Sequence, residues 1–448
     1  MAETGETAQT QLIYGRDDRP SFGPSLLAAF AHLFAIVASI LTAPLLIARA
    51  IGLDVDSTQY VISASLVVSG IATFIQTYRI GPIGSGLLAV QGTSFAFIGT
   101  MAYAAAQLPP ETSQDELLGI LLGTAAVGGG LVIALSFFLK SVAKVITPTV
   151  TGVTIFLLGL SLLWSALNNS WRVFANASVG DTPYLAMEWL LTLITIAALA
   201  TRKNLYARLV SVPAGLFGGM LLAAVLRDWA PLPTPTADLL FFLEVLPVSL
   251  DFSFLVLLIL LPIFLVSFTE TIGDITATSL VSGQPVEGKT YFSRLRGGVL
   301  GDGFNTVLAS MFGAFPNTTF SQNNAVIRLT GIASRQVGYV LALLLIVLGS
   351  IPWVSSLIVT IPGSVLNAVT AFLFSMIAYT GFNMVRDRAQ RRGLLVLTVA
   401  AIGALLLLGV PALLASLDIT IPPYAAILLG FPVASGALLA IIADQSMA

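Results

Sequence analysis

Thr318-Thr319-Phe320-Ser321-Gln322-Asn323-Asn324-Ala325-Val326-Ile327-Arg328-Leu329-Thr330-Gly331 is the stretch that decides the fold. It begins as a short β-like run, passes through three consecutive amide side chains and continues as a short apolar turn. It is too short and too polar to span a bilayer, which takes about 20 apolar residues as a helix. Long hydrophobic stretches nonetheless flank it on both sides. Irregular backbone at membrane depth is tolerated only where protein buries it or where it lines a cavity. Broken polar segments of this kind point to a transporter's substrate site; the alternative is a re-entrant loop that merely connects two helices.

Outward from this stretch, the chain is 56% hydrophobic and only 9% charged over 448 residues, with a mean hydropathy of +0.95. Soluble domains carry about 25% charged residues, so the composition describes a polytopic membrane protein. A net charge of −2 gives no sign of a nucleic-acid partner. Cysteine is absent and His32 is the single histidine, which excludes disulfides, thiol chemistry and a multi-His metal centre. No metal or other cofactor is expected. Residues 1–20 are polar and read as a disordered cytoplasmic tail, not a signal peptide.

Apolar spans fall at roughly 25–48, 59–77, 85–104, 117–138, 147–168, 185–201 and 207–226, before a Pro-rich connection over 229–250. A second set falls at roughly 252–281, 295–314, 317–331, 336–352, 362–385, 393–410 and 423–443. The expected fold is all-α, with fourteen segments as seven plus seven and β-like stretches in segments three and ten. With the N-terminus inside, sixteen Lys and Arg residues lie in inside loops or at span ends. Only Arg49, Arg172 and Arg227 lie outside, which predicts both termini in the cytoplasm. An odd number of spans per half inverts the second half relative to the first. Ala89-Val90-Gln91-Gly92-Thr93-Ser94-Phe95 is the matching stretch in the first half. Two half-helix N-termini would then meet near the midplane, with their N–H groups and positive dipole ends facing one cavity. Gly119/Gly123 and Gly215/Gly219 read as small faces for close helix packing.

Three carboxylates lie deep inside predicted spans: Glu270, Asp274 and Asp302. Intramembrane carboxylates are costly and functional by default. Glu270 and Asp274 are spaced i, i+4 and share a helix face, where like charges repel. A carboxyl group that gains and loses a proton during a cycle is how a symporter couples to a proton gradient. Asp274 and Asp302 have a second reading, as hydrogen-bond partners of broken backbone. Glu188 reads as an interfacial residue and His32 as a packing residue in an apolar helix. Arg328 either neutralises a carboxylate or snorkels toward the cytoplasmic end.

These motifs resemble the nucleobase–ascorbate transporter family, nucleobase:cation symporter-2. The resemblance rests on Gln322-Asn323-Asn324-Ala325-Val326-Ile327-Arg328-Leu329-Thr330-Gly331, Glu270-Thr271-Ile272-Gly273-Asp274 and Gly298-Val299-Leu300-Gly301-Asp302-Gly303, with Gln91-Gly92-Thr93-Ser94-Phe95 in the third span. It implies a core domain at 21–138 and 251–352, and a gate domain at 139–228 and 353–448. It also implies a homodimer in the cytoplasmic (inner) membrane and elevator-like movement of the core. Glu270 and Gln322 would hydrogen-bond a purine nucleobase, with Phe95, Phe320, Ser94 and Asn323 completing the substrate site. Asp302, Asp274 and His32 would serve proton coupling or support the site. Gln322 followed by Asn323-Asn324 resembles carriers of xanthine and uric acid; a uracil carrier and an anion carrier of related fold are the alternatives. The expected partners are thus a purine, a proton and membrane lipid. Ala325 departs from the family's usual Gly, and Arg328 from its usual neutral residue.

Overall fold

The computed structural model describes residues 12–139, 141, 147–204, 207–208, 210–227, 240–416, 425, 429 and 432–447. The first half comprises α1 (Phe22–Ala50), α2 (Val55–Tyr78), β1 (Gln91–Thr93), α3 (Phe97–Ala105), α4 (Gln114–Ser136), α5 (Pro148–Ala175), α6 (Thr182–Ala200) and α7 (Ser211–Arg227). The second comprises α8 (Phe254–Val281), α9 (Gly288–Met311), β2 (Asn317–Thr319), α10 (Gln322–Thr330), α11 (Arg335–Gly349), α12 (Pro352–Val359), α13 (Gly363–Ser416) and α14 (Pro432–Ser446). Residues 229–239 of the predicted Pro-rich connection, together with Lys140 and Lys144, lie outside the described residues.

Local sequence sets the helix starts. Asp54, Ser113, Thr147 and Ser253 each accept a hydrogen bond from the backbone N–H three residues on. These caps satisfy donors that a helix cannot pair internally. Ser113 with Glu116 forms the S-x-x-E pattern, and Pro148 occupies the first helical position, where its missing N–H costs nothing. Gly331, at φ 65°, ends α10 in the left-handed conformation that glycine tolerates best.

Two helix groups emerge from the packing. In one, α2 packs on α11, α4 on α9 and α8, and α1 on α11 and both half-helices. In the other, α5 packs on α13 and α14, and α6 on α7 and α13. The groups meet across a cavity of about 190 Å³ lined by Val150, Thr154, Leu258, Leu265, Leu438 and Ile441, among others.

Among the described residues, eight helices are long and apolar enough to cross a membrane, or nine if α11 and α12 form one span bent by 71°. The chain is therefore a multi-pass membrane protein. The fourteen predicted segments exceed this number for physical reasons. The third and tenth contain helices of only nine residues each. The seventh is a 17-residue helix, and the ninth falls in α9, which carries Lys289, Arg294, Arg296 and Asp302. Two apolar stretches, Gly363–Arg386 and Arg392–Val410, both belong to α13. Helix α12 was not anticipated; Pro352 opens it just past the end of α11.

Three expectations need correction. The N-terminal stretch is not free throughout. Ile13 and Tyr14 donate to the Gly331 carbonyl, Ala333 N–H donates to Tyr14 and Arg335 N–H to Arg16. The Arg16 guanidinium reaches the Gly86 carbonyl at 2.7 Å, and Asp17 pairs with Arg335 at 2.7 Å. Backbone pairing plus charge-assisted bonds outweigh the entropy of so short a polar segment. Glu188 is not a free residue near a span end but fully buried, held by two nitrogens of the Arg227 guanidinium and by the Ser364 hydroxyl. A carboxylate is retained there because its partners are. Finally, the Gly119/Gly123 face receives the chain at Ser249 and Asp251, not another helix. Gly215 and Gly219 do meet a helix, at Ile196 and Thr192 of α6.

Candidate substrate site

The centre of the first helix group is a two-stranded antiparallel ribbon. Gln91 pairs with Thr319, Gly92 with Thr318 and Thr93 with Asn317. Each strand is followed within a few residues by a half-helix, α3 or α10, so the matching stretches of the two halves meet here. Gly92 makes the crossing possible: a Cβ there would run into the Phe320 ring and Ile40. Phe320 is accordingly buried beneath the ribbon, its N–H bonded to the Val90 carbonyl.

Asn323 is buried and donates its amide to the Leu88 carbonyl, so it ties α10 to the chain before β1. Ser94 is also buried, and its hydroxyl accepts the Ala96 N–H at the start of α3. Gln322 is exposed, and Phe95 is half-buried, edge-on to Phe374 of α13 at 6.2 Å. Of the predicted substrate ligands, Gln322, Phe95 and Glu270 therefore present reachable surface. Ser94, Phe320 and Asn323 build the support beneath them.

The carboxylates sit on α8 and α9, within electrostatic range of one another. Asp302 Oδ2 accepts from the Thr271 hydroxyl, and from the Thr318 hydroxyl at 3.3 Å. Thr318 is also 3.2 Å from the Ser267 hydroxyl. The Thr319 hydroxyl donates to Asp274 at 3.0 Å. Asp302 and Asp274 are thus joined to β2, while Glu270 makes no such bond among the described residues. The Gln91 amide faces Asp302 without a direct hydrogen bond. His32 is fully buried, and neither ring nitrogen has a partner among the described residues.

Sequence reading missed the hydroxyls. Ser267, Thr271, Thr276 and Thr278 recur along α8, each bonded to the ribbon, to α10 or to the helix's own carbonyls. Thr278 lies 2.7 Å from both the Asp274 carbonyl and Asn324 Oδ1. A hydroxyl carries one proton, so one of these contacts needs the Asn324 amide turned to donate. The density of Ser and Thr in the second half of α8 was the available signal.

The profile of the Xan_ur_permease family, described as a permease family, matches residues 23–415. Xanthine permease XanP of Escherichia coli (strain K12) is 38% identical over 402 residues, covering 88% of this chain and 86% of the relative. Xanthine permease XanQ of the same organism is 35% identical over 400 residues, with the same coverage. A purine permease of Emericella nidulans is 33% identical over 408 residues, covering 82% and 70%. Among solved structures, the transmembrane domain of a cyanobacterial bicarbonate transporter, BicA, aligns with a TM-score of 0.56 at 15% identity, over 96% of this chain and 99% of that one. Murine Slc26a9, an anion transporter in its inward-facing state, gives 0.58 at 14% identity over 96% and 69%. Those two likenesses concern the fold alone. By this family match and these relatives the chain is a transporter and not an enzyme, a member of the Xan_ur_permease family.

Proposed function

We propose that this chain imports a purine nucleobase, xanthine or uric acid, together with a proton across the cytoplasmic membrane. The observation that carries the substrate class is the exposed Gln322 at the start of α10, in a chain whose relatives include xanthine permeases. A xanthine edge offers an N–H donor beside a carbonyl acceptor, and one planar Gln amide presents the complement. Glu270 supplies a second acceptor, and the half-buried Phe95 ring an apolar face for the purine.

Coupling falls to Asp302 in this reading. The Thr271 hydroxyl lies between Asp302 Oδ2 and the Ser267 carbonyl, 3.0 Å away. With Asp302 ionised, Thr271 donates to it. With Asp302 protonated, Asp302 donates to Thr271, whose own proton turns to Ser267. Both states are thus hydrogen-bonded without moving a helix. A proton can arrive at or leave Oδ2 without stranding the Thr271 hydroxyl.

The wider reading comprises fourteen segments in two inverted halves, cytoplasmic termini and a homodimer. The first helix group moves as a core against the second as a gate. The separation of the two packing groups supports the core and gate division alone. The anion-carrier alternative draws on the fold likeness to BicA and Slc26a9, but the donor–acceptor edge of Gln322 beside Glu270 suits a planar nucleobase better than an inorganic anion. The test is uptake of labelled xanthine in cells lacking purine permeases, competed with purines and pyrimidines, with and without a protonophore. Uptake that ignores the protonophore and stops without sodium would overturn proton coupling. Competition by uracil but not by xanthine or uric acid would overturn the substrate assignment.

A further inference from the structure

Several side chains near Asp302 have hydrogen-bonding capacity that no described residue fills. They include Asp302 Oδ1, Thr93 Oγ1, Asn305 Oδ1, both amide atoms of Asn317, and the Ser69 and Ser65 hydroxyls, all in buried residues. They form two arms that meet on α9, one toward the ribbon and one along α2. Asp302 and Asn305 are three apart on α9 and share a face with Thr306. The Thr306 hydroxyl donates to the Asn317 carbonyl at 3.2 Å, and Asn317 is the cross-strand partner of Thr93, so their side chains lie on the same side of the ribbon. The Asn305 amide donates to the Ala72 carbonyl of α2 at 3.4 Å. Ser69 is three residues from Ala72 on the same helix, and Ser65 one turn further. Another turn on, Tyr60 and Val61 line an open cavity of about 330 Å³ that also holds Asp56, Asp115 and Glu244.

A buried polar group left dry loses its hydrogen bonds to water and gains none in return, and several in one place multiply that penalty. Proteins settle such clusters with ordered water, each molecule bonded to two to four polar groups. Water and hydroxyls both donate and accept, so a file of them can pass a proton, while amides hold the file in place.

We propose that Thr93, Asn305, Asn317, Ser69 and Ser65 hold a file of ordered water through which Asp302 exchanges its proton with the acidic cavity at the start of α2. This rests on the proton-coupled reading above. Glu270 and Asp274 are the other carboxyl groups within range of Asp302. They stand on α8, while the file runs along α2 and α9.

The test uses purified full-length protein in liposomes with a trapped pH-sensitive dye. Three quantities are read: net xanthine uptake driven by a pH gradient, xanthine exchange without a gradient, and xanthine affinity. Exchange needs no proton to leave the carrier; net uptake does. Thr93→Val keeps shape and drops one hydroxyl, and Ser69→Ala is a milder second variant if the first fails to fold. The combined variant, or Ser69→Ala with Ser65→Ala, should slow net uptake about tenfold or more while exchange and affinity stay within about twofold. Net uptake equal to wild type, or net uptake and exchange falling together, would overturn the water file and leave coupling intact. No dye signal during wild-type uptake would overturn coupling itself, and the file with it.

Discussion

Gln322 and Asp302 divide the work at the scale of single residues. Gln322→Glu replaces an acceptor–donor pair by acceptors alone. A substrate carbonyl then faces carboxylate oxygen, at a cost of about 1–3 kcal/mol, or a five- to 150-fold loss of xanthine affinity. The loss should ease at acid pH, where a protonated Glu regains a donor. Binding to the purified variant across a pH series checks this, and unchanged affinity at neutral pH would remove Gln322 from the site. Asp302→Asn keeps size and the contact with Thr271 but carries no exchangeable charge. Binding is expected within about threefold of wild type and net transport at least tenfold slower. Parallel loss of both, measured by binding and uptake on one preparation, would make Asp302 a ligand or a folding residue.

At the scale of elements, the ribbon and the half-helices behave as one unit because Gly92 lets Phe320 lie against it. Gly92→Ala inserts a methyl where the Phe320 ring and Ile40 already stand, and overpacking of this kind costs about 1–3 kcal/mol. The displaced ring is two residues before Gln322, so xanthine affinity should fall along with thermal stability. Phe320→Leu in the same chain should restore part of both, read as coupling in a double-mutant cycle. Strict additivity would mean that the two positions do not press on each other. The ribbon was legible because Gln91-Gly92-Thr93-Ser94 and Thr319-Phe320-Ser321-Gln322 interrupt long apolar runs at matching places in the two halves. Burial of Ser94 and Asn323 was not legible. Their neighbours, Ala96 and Leu88, are ordinary apolar residues, and only the crossing decides which side chain faces in. The Glu188–Arg227 pair was hidden for a related reason: its partners are 39 residues apart on different helices, and no helical period links them.

For the whole molecule, hydropathy and charge alternation revealed a multi-pass chain, because lipid imposes one rule on every span. Packing of helices into two groups depends on which faces meet, and the hydropathy of spans that are apolar all round says little about faces. If one group slides past the other, fixing them together must stop the cycle. The chain contains no cysteine, so Leu258→Cys on α8 with Ile441→Cys on α14, both lining the 190 Å³ cavity, gives a unique pair for a short thiol cross-linker. Cross-linking should abolish xanthine uptake, and a reducible linker should return it on reduction. Full uptake by the cross-linked protein would rule out relative movement at this seam.

The attachment of Asp17 to Arg335 spans 318 residues, and the ribbon joins Gln91 to Thr319. At synthesis rates of about 5–20 residues per second, the early partners wait on the order of tens of seconds for their mates to leave the ribosome. During that time the first strand has no edge to pair with, although helices beside it are already in the bilayer. Assembly of the transport centre is therefore a late event, closed by the second half. A chain cut short before Asn317 would have most of its helices and none of the ribbon pairing that gives them a purpose.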